Sequence, residues 1–216
     1  PRRSVRRAEA HVGDADLFDL SGRQAVVTGA AGLLGREFAR ALASCGATVF
    51  LVDRDRPAVE RLAVEMSELS GIEPRPVVLD ITDEGAVSEA IAQIGRVDVL
   101  VNSAAVDPKF APGAASSGHL RDYPLERWEA SLAVNLTGAF LMTRECCAVM
   151  EAQGPTGEGV VVNVSSMYGL RGPDQRIYAA SADADFVKPV DYSEPQDPGL
   201  GHGVVCLLYT SDAADD

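Results

Sequence analysis

The sequence predicts a doubly wound α/β fold, a parallel sheet with helices on both of its faces. Five short runs are apolar almost throughout and rich in Val: Gln24–Thr28, Thr48–Val52, Arg75–Leu79, Val97–Val101 and Gly159–Val164. Such continuous apolar runs are typical of strands that are buried on both faces. Segments with helical spacing of apolar residues separate these runs, and this alternation favours a parallel sheet. A glycine-bearing turn directly follows the first run, where sheets of this class bind ligands.

Two of the helices between these strands carry clear local signals. Leu34, Phe38 and Leu42 follow the first strand with helical spacing, which predicts that they form the buried face of the first helix. Thr82 is the expected N-cap of a helix that ends near Ile94, since threonine oxygens accept hydrogen bonds from the first turn. Both helices are therefore predicted to cover the sheet.

The composition is that of a folded protein with an acidic surface. The chain has 216 residues, of which 46% are hydrophobic, and a formal net charge of −13. An acidic surface repels phosphate backbones, so no nucleic-acid partner is expected. No apolar run reaches the roughly 18 residues that a membrane span needs, so no membrane partner is expected. The four cysteines have neither metal-ligand nor disulfide spacing, which predicts a cytoplasmic protein without a metal site.

A phosphate-binding turn is predicted between the first strand and the first helix. Residues 28–35 read TGAAGLLG, with Gly29, Gly32 and Gly35 as the glycines. Glycines let the backbone turn sharply and let a diphosphate approach the unpaired N–H groups of the helix start. The position between a strand and a helix supports a dinucleotide site. Leu34, inside the same turn, is counted among the expected cofactor contacts.

The end of the second strand predicts which dinucleotide is preferred. Asp53 stands 24 residues after Gly29, where a carboxylate can accept hydrogen bonds from an adenosine ribose and repels a 2′-phosphate. Arg54 and Arg56 favour the opposite preference, because arginine is the usual partner of that phosphate. We expect NAD to be the cofactor and NADP to be less favoured. Arg54 is counted among the expected cofactor contacts.

These segments resemble the short-chain dehydrogenase/reductase family, and the resemblance covers residues 17–193. Residues 79–82 (LDIT) are similar to the family's adenine-contacting segment, and residues 102–105 (NSAA) to its NNAG element. The resemblance implies that further cofactor contacts come from Asp80, Ile81, Asn102 and Ala104. The glycine spacing departs from the compact branch of the family, because Leu33 stands where that branch has glycine. It matches the extended, sugar-nucleotide branch instead.

The resemblance also implies hydride transfer between a nicotinamide and a hydroxyl or carbonyl substrate. The likeness to one subgroup of the family implies that this substrate is a sugar-like polyol. The family's catalytic asparagine and serine correspond to Asn135 and Ser166. Its acid/base tyrosine, which needs a pKa below the usual value of about 10, is Tyr192 or Tyr178. Tyr178 lies at the usual distance after Ser166. Tyr192 is favoured because residues 188–193 (KPVDYS) resemble the end of an insertion in that subgroup.

Neither tyrosine is followed, four residues later, by the family's lysine; Ala182 and Gln196 stand there instead. We therefore expect an NAD(P)-dependent oxidoreductase that is inactive as this chain. A non-catalytic dinucleotide-binding protein and an extended-branch nucleotide-sugar epimerase or dehydratase stay open as alternatives. Members of the family usually pair through the helix around Phe140, so the full-length protein is expected to form a homo-oligomer.

The two ends of the chain differ in character from its middle. Residues 1–16 begin with arginines and turn acidic, which predicts a disordered leader. Residues 206–216 read CLLYTSDAADD and resemble a translated sequencing adapter, while residues 194–203 hold two prolines and three glycines. We interpret residues 194–216 as a frameshift or adapter-derived tail. The Rossmann domain is then expected at residues 17–193, without its C-terminal strands.

Overall fold

The sheet has five parallel strands in the order β3-β2-β1-β4-β5. The structure is a computed structural model that describes residues 18–70, 73–106, 124–154 and 159–165. The strands are β1 Gln24–Thr28, β2 Thr48–Asp53, β3 Arg75–Val78, β4 Val99–Asn102 and β5 Val160–Asn163. The predicted parallel α/β sheet is confirmed, with strand ends that differ from the predicted ones by one or two residues.

The helices lie between the strands in the predicted order. They are α1 Leu33–Ser44, α2 Arg56–Ser70, α3 Glu84–Ile94, α4 Leu125–Leu132 and α5 Ala139–Ala152. A π-helical segment, Ala133–Gly138, joins α4 to α5 into one continuous helix. Single π-helical turns inside α-helices are frequent at functional sites. The long helix predicted from sequence is present, but its middle turn is wider than an α-helix.

Two separate apolar cores cover the two faces of the sheet. Side chains of a strand alternate between faces, so neighbouring residues of β1 belong to different cores. Val26 packs with Val87 of α3 and Met142 of α5. Val27 packs with Ala39 of α1 and with side chains of α2. Helices therefore lie on both faces, which explains why the central strands are apolar throughout.

Helix α1 buries a different face from the predicted one. The buried residues are small and each comes one position after a predicted one, namely Gly35, Ala39 and Ala43. Leu34 is 55% exposed, and Phe38 and Leu42 pack at the margin of the core. Small side chains let the helix axis lie close to β1 and β2, and larger ones would hold it away. Apolar spacing alone does not distinguish these two faces.

The N-cap of α3 is Asp83, one residue after the predicted Thr82. The Asp83 side chain accepts a hydrogen bond from the backbone N–H of Ala86 at 3.0 Å. The Thr82 hydroxyl instead donates to the Asp80 carboxylate at 2.7 Å, and Thr82 lies one residue before the cap position. Gly95 ends the helix with φ +73°, a left-handed conformation that glycine adopts without strain.

The continuous helix Leu125–Ala152 is long and apolar enough to cross a membrane, judged by length and composition only. Core helices of soluble proteins meet the same criterion. In α5 the side chains of Leu141, Met142, Cys146 and Met150 are buried against the sheet. The apolar character of this segment is thus partly explained by its packing in the core.

Candidate functional site

A groove of about 510 Å³ lies at the carboxyl ends of the strands. It opens beside β1 and β4, where the strand order reverses, the usual ligand position in open parallel sheets. Most of the predicted cofactor residues line it: Gly29, Gly32, Leu34, Gly35, Asp53, Arg54, Asp80, Ile81 and Ala104. The fold thus brings segments that are far apart in the sequence to one place.

Two of the three glycines in the turn are required by space. Gly29 has φ +63°, and a Cβ added to it would lie 2.7 Å from Cα of Ala104. A Cβ on Gly35 would lie 2.1 Å from the carbonyl oxygen of Gly29. Gly32 has an ordinary φ of −73°, and its added Cβ would meet only the Gly29 oxygen at 3.1 Å. The turn is therefore packed directly on α1 and on the loop after β4.

The side chain of Thr28 joins the turn to the end of β4 by hydrogen bonds. Its buried hydroxyl oxygen accepts hydrogen bonds from the backbone N–H groups of Ser103 and Ala104, each at 3.1 Å, and donates to the carbonyl of Val101 at 3.4 Å. This residue was not among the predicted site residues. A threonine directly before the first glycine of the turn was the signal that could have identified it.

The Asp53 carboxylate holds the other side of the turn. One oxygen accepts from the backbone N–H of Ala31 at 3.0 Å, and the other accepts from that of Asp55 at 3.0 Å. Arg54 lines the groove beside it. Asp53 is therefore already fixed in place against the glycine turn, with a negative charge at the groove wall.

The segment after β3 forms a second wall with mixed character. Asp80 accepts hydrogen bonds from the backbone N–H of Thr82 at 2.9 Å and from its hydroxyl at 2.7 Å. These bonds, with a smaller contribution from the charge of Arg54, lower the pKa of Asp80 below its ordinary value of 3.8. Ile81 and Leu79 beside it are almost fully buried. Both still border the groove, so the wall combines a small apolar area with an ionised carboxylate.

Asn102 lies beneath the groove and does not line it. Its side-chain amide donates to the Asn163 oxygen at 2.9 Å and to the Thr143 hydroxyl at 3.0 Å. The ends of β4 and β5 and the helix α5 are joined by these bonds. Asn102 therefore supports the sheet edge from which the loop with Ala104 departs.

Asn135 lies in the π-helical segment and holds the loop after β4. Its Oδ1 accepts from the backbone N–H of Val106 at 2.7 Å, and its Nδ2 donates to the Val106 carbonyl at 3.1 Å. Val106 and the neighbouring Val134 line the groove. The side chain of Asn135, which the resemblance identifies as the family's catalytic asparagine, thus holds a segment of the groove wall.

Three of the predicted catalytic positions, Ser166, Tyr178 and Tyr192, lie outside the described residues. Strand β5 carries the chain to the same edge as β4, because the N–H of Val164 donates to the Asn102 carbonyl at 3.0 Å. Ser165 follows directly. The thiol of Cys146 is part of the core, where burial raises its pKa to about 12, so it is protonated and unreactive at neutral pH.

A family model described as short chain dehydrogenase matches residues 23–184. The chain is 37% identical over 169 residues to D-threitol dehydrogenase of Mycolicibacterium smegmatis, covering 76% of this chain and 60% of that protein. It is 32% identical over 156 residues to gluconate 5-dehydrogenase of Gluconobacter oxydans, covering 70% and 56%. The chain thus spans less than two thirds of the length of these curated relatives.

Solved structures show the same likeness. An NAD⁺-bound xylitol dehydrogenase is similar with a TM-score of 0.62 and 34% identity, covering 71% of this chain and 56% of that one. A gluconate 5-dehydrogenase from Beutenbergia cavernae with bound NADP has a TM-score of 0.61 and 33% identity, covering 72% and 59%. Both dinucleotides therefore occur among the similar structures.

Proposed function

Because this chain belongs to the short-chain dehydrogenase family, we propose that its groove binds a nicotinamide dinucleotide. We also propose that the whole protein transfers hydride between that cofactor and a hydroxyl or carbonyl of a small molecule. The observation that carries the first proposal is the turn at Gly29 and Gly35. No side chain fits at these two positions, so the start of α1 stays accessible to a ligand in the groove. The groove lies between β1 and β4, where the strand order reverses.

The residues present fit the parts of a dinucleotide. The first turn of α1 leaves backbone N–H groups without acceptors inside the helix, and these suit a diphosphate. The Asp53 carboxylate suits the two hydroxyls of a ribose, and the small exposed parts of Ile81 and Leu79 border the groove where a base would lie. When bound, the nicotinamide supplies hydride-transfer chemistry. Residues 17–193 are proposed as the domain that holds it.

The chemical roles at the reacting centre are assigned through family membership. Ser166 holds the substrate oxygen with its hydroxyl, and Tyr192, or Tyr178 in the alternative, exchanges the proton of that oxygen. Asn135 acts as a positioning residue, because both polar atoms of its side chain hold the backbone of Val106. Substrates are proposed to be polyols or related sugar acids, on the printed names of the relatives.

A second candidate is a dinucleotide-binding protein without turnover. The observation that favours it is the absence of lysine four residues after either tyrosine. Without that lysine the site lacks a positive charge that would lower the pKa of the tyrosine, so the tyrosine is a poorer base at neutral pH. We propose that the 216-residue chain binds dinucleotide but does not oxidise alcohols. Steady production of NADH from xylitol, threitol or gluconate by the purified chain would contradict this.

The cofactor preference is tested by Asp53→Asn. We expect the unsubstituted chain to bind NADH more tightly than NADPH, because the Asp53 carboxylate repels a 2′-phosphate. Asparagine keeps one acceptor for the turn but removes the charge, so NADH should bind about tenfold more weakly and NADPH more tightly. Isothermal titration calorimetry with both nucleotides measures this.

The control is Glu37→Gln on α1, which removes an exposed carboxylate outside the groove. Its dissociation constants should equal those of the unsubstituted chain. If the unsubstituted chain binds neither nucleotide saturably, the proposed function fails. If both bind but Asp53→Asn leaves their ratio unchanged, only the role of Asp53 fails.

A further inference from the structure

Leu33 is the first residue of α1 and is 84% exposed, more than any other large apolar side chain in the described part of the chain. It lines the groove next to Leu34. Helix α1 packs on the sheet through Gly35 and Ala39, so the Leu33 side chain contributes nothing to the core. A single exposed leucine on an open surface needs no explanation. One at the rim of the main groove, over the start of a helix, is placed where a ligand would cover it.

We propose that the Leu33 side chain covers the diphosphate of the bound dinucleotide and shields it from water. This inference rests on the proposed function. The N–H groups of the first turn of α1 attract the diphosphate, and this attraction strengthens when water is excluded because the local dielectric constant falls. Covering the diphosphate also removes water from it, which costs free energy. We infer that the stronger attraction exceeds this cost, so that leucine in place of a small residue at this position raises affinity for the diphosphate without adding a hydrogen bond.

The backbone at this turn allows a side chain at position 33 although it excludes one at position 29. Gly32 takes the extended conformation that precedes the helix, with φ −73° and ψ 173°. The close approach of backbone to backbone falls on Gly29 and Gly35 instead. The turn therefore keeps its two required glycines at the packed positions and has a large apolar residue at the open one between them.

The test is Leu33→Ala, with binding of NADH and of ADP-ribose measured by calorimetry at low and high salt. ADP-ribose contains the diphosphate but lacks the nicotinamide. We expect the dissociation constants of both ligands to rise by a similar factor, about five- to tenfold, on losing the apolar cover. The increase should be larger at high salt, because a diphosphate exposed to solvent is screened more effectively. Leu33→Met, which keeps the apolar volume, should bind almost as the unsubstituted chain does.

Val64→Ala is the matched control, since Val64 on α2 is also a strongly exposed apolar side chain but lies outside the groove. It should change neither affinity nor salt dependence. The thermal midpoint of Leu33→Ala should stay unchanged, because the side chain is not in the core. Unchanged ADP-ribose affinity in Leu33→Ala, or an unchanged salt dependence, would overturn the inference while the proposed function stands. Failure of the unsubstituted chain to bind either ligand would overturn both.

Discussion

Gly35→Ala is expected to abolish dinucleotide binding and to lower the free energy of unfolding by about 3 kcal/mol. The added Cβ would lie 2.1 Å from the Gly29 carbonyl oxygen, 2.8 Å from its carbonyl carbon and 2.9 Å from Cα of Ala30. All three atoms belong to the backbone, so none of them can rotate away. The turn must move away from α1, and the proposed diphosphate site moves with it.

Gly85→Ala is the matched control, because Gly85 also lies in the first turn of a helix. Its added Cβ would meet only the Asp83 carboxylate, at 3.5 Å, which is an ordinary contact. Alanine is favoured over glycine in helices by roughly 1 kcal/mol, so stability should stay equal or rise. Urea denaturation and titration with NADH measure both effects. Tight NADH binding by Gly35→Ala would show that this turn does not form the cofactor site.

Asp98→Asn is expected to lower the free energy of unfolding by about 2–3 kcal/mol. Asp98 lies at the opposite end of the strands from the groove. Asp98 is 2% exposed and precedes β4. Its carboxylate accepts from the Arg96 guanidinium at 2.7 and 3.0 Å, from the Gln24 backbone N–H at 2.8 Å and from Arg23 at 3.1 Å. One buried carboxylate thus joins the beginnings of β1 and β4, and asparagine cannot accept from all of these donors.

The same carboxylate makes the stability depend on pH in the acidic range. Burial by itself would raise the pKa of Asp98, but the hydrogen bonds from Arg96, Gln24 and Arg23 outweigh it and hold the pKa below the ordinary 3.8. The unfolded chain therefore takes up this proton at a higher pH than the folded chain. The contribution of Asp98 is complete above about pH 5 and is lost as the pH falls through the folded-state pKa.

Urea denaturation at pH 7, 5, 4 and 3 tests this prediction. The unsubstituted chain should lose stability steeply below pH 4, and Asp98→Asn should lose less over the same range. Glu60→Gln is the control, because its ion pair with Arg56 is exposed and pairs of this kind contribute less than about 1 kcal/mol. Equal stability of Asp98→Asn and the unsubstituted chain at pH 7 would contradict the role given to the buried carboxylate.

The sheet was predictable from sequence because strands buried on both faces must be apolar throughout, and this pattern is local. The buried face of α1 was not, because Ala39 and Ala43 are selected by how close the helix lies to the sheet, a property of the packed structure. The groove was predictable from residues that occupy fixed places relative to strand ends, such as Gly29 and Asp53. The contact between Asn135 and Val106 joins residues that are 29 apart, and no local pattern indicates it.

The groove is assembled from segments around Gly29, Asp53, Asp80, Ala104 and Val134, which are spread over more than a hundred residues of the chain. None of these segments can present its part of the site until the strands that carry them have paired. A ligand of this groove therefore binds the folded chain and not the unfolded one. By mass action, a dinucleotide at 100 times its dissociation constant would shift the folding equilibrium by about 2.7 kcal/mol. Binding in the groove and folding of the sheet are thus linked equilibria. If the proposed dinucleotide binds there, its concentration should affect how long the protein survives proteolysis.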